Sequence, residues 1–129
     1  MREDGYAITN FAYPFGSHTN QLNTCLLRTF KSVRCLSNQQ NYRKSLIHEA
    51  GEGKVYYAAD IDNNSRLKED GIVSLLDDAR TYHDCLILVA HQIANPNIKL
   101  QVNRDRLIYL SKRAAERHLR FITVNEVAK

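Results

Sequence analysis

Apolar positions along this chain follow two rhythms. From Glu69 to Tyr82, residues Ile72, Leu75, Leu76 and Ala79 fall at i, i+3, i+4 and i+7, which predicts a helix lying on a sheet. From Cys85 to Ala90 the run is uniformly apolar, which predicts a strand covered on both faces, with His91 at its carboxyl end. Asn10 to Tyr13 predicts a short strand that Pro14 ends by removing a backbone donor, and Gly16 permits the tight turn that follows. Beyond Ser17 and His18, residues Leu22, Cys25, Leu26 and Thr29 keep helical spacing, with Thr19 or Asn20 as cap and an end near Phe30.

The remaining segments continue this alternation. Ser32 to Leu36 suits a strand, the polar stretch Ser37 to Lys44 a loop, and Leu46 and Ile47 begin a short element. A turn at Gly51-Glu52-Gly53 feeds Lys54 to Ala59, a β-rich run that stops at Asp60-Ile61-Asp62. Asn95-Pro96-Asn97 reads as a turn and Lys99 to Val102 as a brief extended piece. Asn103 caps a helix reaching about His118, with Leu107, Leu110 and Ala114 inward. Phe121 to Val124 closes the chain as a strand. Strands alternating with crossovers of this length predict an α/β fold, with about five parallel strands in an open sheet or barrel segment. No repeat or linker divides the chain, so residues 1–129 are read as one domain.

Size narrows the choice, because a closed eight-stranded α/β barrel usually takes about 200 residues or more and this chain has 129. Apolar residues make up 43% and charged residues 25%, the balance of a globular protein rather than a disordered one. The net charge of +4 is spread along the chain without a nucleic-acid-binding motif, so no nucleic-acid partner is expected. The longest apolar run, Cys85 to Ala90, is too short to span a bilayer. No apolar leader follows Met1, and the compartment stays open. The three cysteines show no C-x-x-C spacing, and Cys25 and Cys85 are expected as small core fillers.

Candidate chemistry lies where the predicted strands end, because loops at the carboxyl edge of parallel sheets line active sites. Phe11 to His18 and Cys85 to His91 thus form two walls of one expected site. His91 reads as a general acid or as a strand-capping histidine. Pro14, Phe15 and Gly16 form a rigid turn. Asp60 and Asp62 suit either a hard cation or a solvated Asx-rich turn. His18, His48, His83 and His118 show no paired spacing, so no metal site is expected from this chain alone; His83, beside Asp84, is expected to serve a helix dipole.

The run Tyr13-Pro14-Phe15-Gly16, with Leu86-Ile87-Leu88-Val89-Ala90-His91 downstream, resembles the polysaccharide deacetylases that share the nodulation-protein-B homology domain. The closing Arg120 to Val127 is similar to that domain's last strand. The resemblance implies the back part of a distorted seven-stranded β/α barrel. It also implies a hydrolase acting on the amide or ester bond of acetyl groups on a polysaccharide. In it Phe15 matches the oxyanion donor, His91 the catalytic acid, and Asp60 an orienting aspartate. Tyr13, Pro14, Gly16, His18 and Leu88 would line the substrate groove. Intact relatives use zinc or another divalent metal, held by motifs upstream of the proline turn, and only nine residues precede that turn's strand here. Ala12 replaces an arginine found in some relatives. The resemblance therefore implies inactivity in isolation, or assembly through exposed sheet edges with a second copy or a missing amino-terminal half. The alternatives are a non-catalytic glycan-binding or self-associating module and, more remotely, a basic nucleic-acid-binding protein.

Overall fold

The computed structural model describes residues 5–94 and 99–129. Its frame is a curled, four-stranded parallel sheet, a half-barrel, built from β1 (Asn10–Ala12), β2 (Ser32–Leu36), β4 (Lys54–Asp60) and β6 (Leu88–Val89), in that spatial order. Parallel register runs Asn10 to Ser32 to Lys54 at one end and Asp60 to Val89 at the other. All four strands therefore end at the same edge. Two short ladders are appended. β3 (Leu46–Ile47) pairs antiparallel with β5 (Cys85–Leu86), and β7 (Gln92–Ile93) pairs parallel with β8 (Gln101–Val102).

Alternation along β4 sends its side chains to two faces, each covered by different helices. On one face α1 (Asn20–Leu26) lies near Val33, Cys35, Val55 and Tyr57. Further along the same face, Ala59 and Ile61 meet α2 (Glu69–Tyr82) and α3 (Arg104–Glu116) through Ile72, Leu75, Leu76, Ala79, Leu110 and Ala114. The opposite face carries Tyr56, which packs with Ile47, Val127 and Ala128 at α4 (Val124–Val127). A forked Arg117–Asp77 pair, with contacts of 2.7 and 3.1 Å, ties α3 to α2.

Helix signals are read correctly where local chemistry is unambiguous. Thr19 accepts a hydrogen bond from Leu22 N–H, Asn103 accepts from Asp105 N–H, and α2 spans Glu69–Tyr82 with its stripe buried. His83, at φ 57°, closes α2 as a left-handed cap.

Four expectations change. The apolar run Cys85 to Ala90 is two strands, not one, because Ile87 is shared: its N–H donates to Ser45 O, while its carbonyl accepts from Ala59 N–H. Its residues are half-buried rather than sealed on both faces. Phe121 to Val124 is not a strand: Phe121 is 76% exposed, and Thr123 and Glu126 form a reciprocal capping box that starts α4 instead. That removes the resemblance of Arg120 to Val127 to a closing strand. Cys25 is exposed, so of the two cysteines expected as core fillers only Cys85 is even partly buried, whereas Cys35 is fully buried. Asn95-Pro96-Asn97 lies outside the described residues. No helix among those described is long and apolar enough to cross a membrane.

Candidate functional site

The carboxyl edge of the sheet brings together an aspartate and a histidine from neighbouring strands. β4 ends at Asp60, whose Oδ1 accepts the backbone N–H of Asp62 at 2.9 Å, an Asx turn that folds the chain back over its own end. Ser65 reinforces it by donating to Asp60 O at 2.6 Å, and its own N–H donates to Asp62 O. Asp62 is thereby fully buried, with both carboxylate oxygens engaged. Oδ1 accepts from His91 N–H at 3.0 Å and Oδ2 from His91 Nδ1–H at 2.5 Å. The solvated turn expected around Asp60 and Asp62 is instead an internal one.

This geometry defines what His91 can do. A carboxylate that accepts from Nδ1–H fixes the ring's tautomer and orientation, leaving Nε2 as the free position. The imidazole side chain is 51% exposed while its partner is sealed. The pair is thus an anchored acid–base group facing outward. Asp62 rather than Asp60 holds it. Asp60 lies behind, its carboxyl raised above the ordinary aspartate value chiefly because burial disfavours its charge; the nearby Asp62 charge adds to this, and His91 and Arg106 partly offset it.

Arg106 is a residue that sequence alone did not single out. Nine-tenths buried, it donates from Nη1 to Glu69 at 3.0 Å and from Nη2 to Leu67 O, clamping the start of α2 to α3 beside Asp60. An open pocket of about 400 Å³ adjoins this clamp, lined by Asn63, Glu69, Asn103, Asp105, Arg106 and Tyr109.

At the far side of the same edge stands the proline turn. Tyr13 follows β1, with its ring buried and its hydroxyl donating to Asn23 Oδ1 at 2.8 Å. Pro14–Gly16 form one 3-10 turn. Within it Phe15 takes φ 56°, a conformation an aromatic residue rarely adopts, and exposes 95% of its surface. Gly16 is required there, because a Cβ would lie 2.6 Å from Leu36 Cγ and its own φ is 70°. His18 is held by its own turn: Nδ1–H donates to Gly16 O at 3.0 Å, and Nε2 accepts a longer contact from Tyr57 Oη–H at 3.4 Å.

The two expected walls therefore share an edge without touching. β1 and β6 are three strand spacings apart, about 14 Å across a flat sheet and less across a curled one. Leu88, half-buried, packs against the α2–α3 core. Opposite Ala12 in the parallel register stands Arg34, half-buried, with its guanidinium's hold on its proton weakened by burial. Arginine and alanine are direct neighbours on one face, which only the register reveals. Among the described residues no three His, Cys, Asp or Glu side chains gather as a metal would require. Comparison of the chain with protein-family profiles, with curated proteins and with solved structures finds no match.

Proposed function

We propose that this chain is a polysaccharide deacetylase-like protein in which His91, oriented by Asp62, is the proton-transfer group. The observation that carries the reading is the sealed Asp62 carboxylate bonded to a half-exposed imidazole at the carboxyl edge of a parallel sheet. With Nε2 protonated, such a ring can give its proton to a departing amine or alcohol. A neutral ring can take one back. The turn at Phe15 supports the second role, that of a backbone N–H donor to an oxyanion. A strained aromatic residue held by proline on one side and an irreplaceable glycine on the other is a rigid donor position. The half-barrel frame, read on this proposal, is the back part of a distorted seven-stranded barrel.

Among the described residues the side chains do not fit the metal that the resemblance implies, so no step is routed through one. Isolated chain is accordingly expected to bind an acetylated glycan without hydrolysing it. That donor set also favours the second reading, a glycan-binding module without turnover. Acetate release from acetylated chitooligosaccharides and peptidoglycan fragments, with and without zinc or cobalt, tests both. It is read together with the nuclear magnetic resonance signals of His91 and Phe15 during titration. Saturable shifts at both residues without acetate release are expected for the chain alone. Release that needs both metal and His91 would overturn the inactivity, and no shift at either residue would overturn the glycan reading altogether.

A further inference from the structure

A second aspartate–histidine pair lies at the end of the antiparallel β3–β5 ladder. His48 follows β3 and Asp84 precedes β5, so the two face each other one step beyond the Ile47–Cys85 register pair. His48 Nδ1–H donates to Asp84 Oδ1 at 2.7 Å. The Asp84 side chain is 1% exposed, and its Oδ2 is buried without a hydrogen-bond partner among the described residues. The imidazole itself is 71% exposed, with Tyr82 edge-on to it. The ring is thus fixed from behind and open in front, like His91.

What lies in front differs. His48 lines an open pocket of about 420 Å³, a volume suited to a small molecule. Leu46, Val55 and Tyr57 contribute to its walls, while Lys44, four residues before His48, and Lys54, at the start of β4, also line it. The Lys44 ammonium sits 5.6 Å over the Tyr57 ring, and the one acidic group present, Glu49, is highly exposed and only 3.4 Å-paired with Lys54. Three nitrogen donors from two stretches of chain therefore rim an open pocket with apolar walls.

We propose that this pocket binds a small organic anion, a phosphate monoester with an apolar, ring-sized body. Lys44, Lys54 and His48 Nε2 would meet the charged head, and Leu46, Val55 and Tyr57 the body. Lysines suit a phosphate as movable point charges. A purely structural His48–Asp84 pair needs neither lysine nor the pocket. This site is independent of the reading of His91, since neither His91 nor Asp62 lines the pocket.

The test titrates the full chain with phenyl phosphate and separately with inorganic phosphate, following the ring protons of His48. A saturable His48 shift is expected, half-complete at lower phenyl phosphate than inorganic phosphate. Lys44→Ala and Lys54→Ala should each weaken it about tenfold, as loss of a charge-assisted hydrogen bond does. His91→Ala should leave it unchanged. Equal shifts of all five histidines, equal affinity for the two phosphates, or lysine variants that bind like the parent would each overturn the proposal. Both lysines are at least partly exposed, so their variants should fold, which circular dichroism verifies.

Discussion

Replacing Asp62 by asparagine probes the whole arrangement at the carboxyl edge with one atom's change. The carboxylate accepts two hydrogen bonds from His91, one from its backbone N–H and one from Nδ1–H. An amide has a single acceptor oxygen for those two donors. Whichever way it turns, its NH2 group faces either the backbone N–H or the ring N–H. The backbone donor cannot move its proton, whereas the ring can, by changing tautomer. Asp62→Asn is therefore expected to keep the backbone bond and drive His91 to the Nε2–H form. The loss is one charge-assisted bond from a sealed carboxylate, partly recovered by the new one, or about 1–2 kcal/mol. Asp62→Ala strips both acceptors from a buried position and should cost about 3 kcal/mol. Ring nitrogen-15 shifts at neutral pH report the tautomer, and urea unfolding reports the energy. An asparagine variant that retains Nδ1–H and unfolds at the parental midpoint would refute the claim that Asp62 orients His91.

Two further outcomes follow from the same edge. Burial raises the Asp60 carboxyl, so the unfolded chain releases that proton at a lower pH than the folded chain does. The group's contribution is present below its unfolded value of 3.8 and is lost as pH rises through the higher folded one. Asp60→Asn keeps an acceptor for Asp62 N–H. Its stability relative to the parent should thus rise between about pH 3 and pH 7 in urea titrations, and a gap that shrinks with pH would contradict the assignment. Gly16→Ala should cost about 1–3 kcal/mol, because the new methyl meets Leu36 side chain and backbone within 3 Å at a positive φ; an unchanged unfolding midpoint would show that the turn yields.

How much of this was visible beforehand depends on whether the deciding contact is local. The α2 helix and strand β2 were legible to the residue, since a periodic stripe and a short alternating run carry their own instructions. Thr123-Val124-Asn125-Glu126 also carried one, a capping box, yet the β-rich Phe121-Ile122-Thr123-Val124 suggested a strand. In that contest the reciprocal hydrogen bonds and the burial of Val127 and Ala128 prevail. The split of Cys85 to Ala90 was not legible. An apolar run states that it will be buried but not by which partner, and here the partner changes at Ile87. Choosing Asp62 over Asp60 was equally out of reach. Two residues apart, both would share one face of an extended strand, and only an Asx turn and a residue 29 positions away decide which one meets His91.

One segment carries both aspartate–histidine pairs, Asp84 at its start bonded to His48 and His91 at its end bonded to Asp62. In each the carboxylate is sealed and the imidazole is open, so the pair by itself does not identify a site. The surroundings do. Behind His91 stand a second aspartate and a buried arginine, and along its edge a strained aromatic turn, a setting suited to moving protons. Around His48 stand two lysines above an apolar floor, a setting suited to holding an anion. The division of roles between His91 and His48 thus rests on their different neighbours, which makes each histidine the control for the other. His91→Ala should leave phosphate binding intact, and His48→Gln should leave glycan-induced shifts at Phe15 intact.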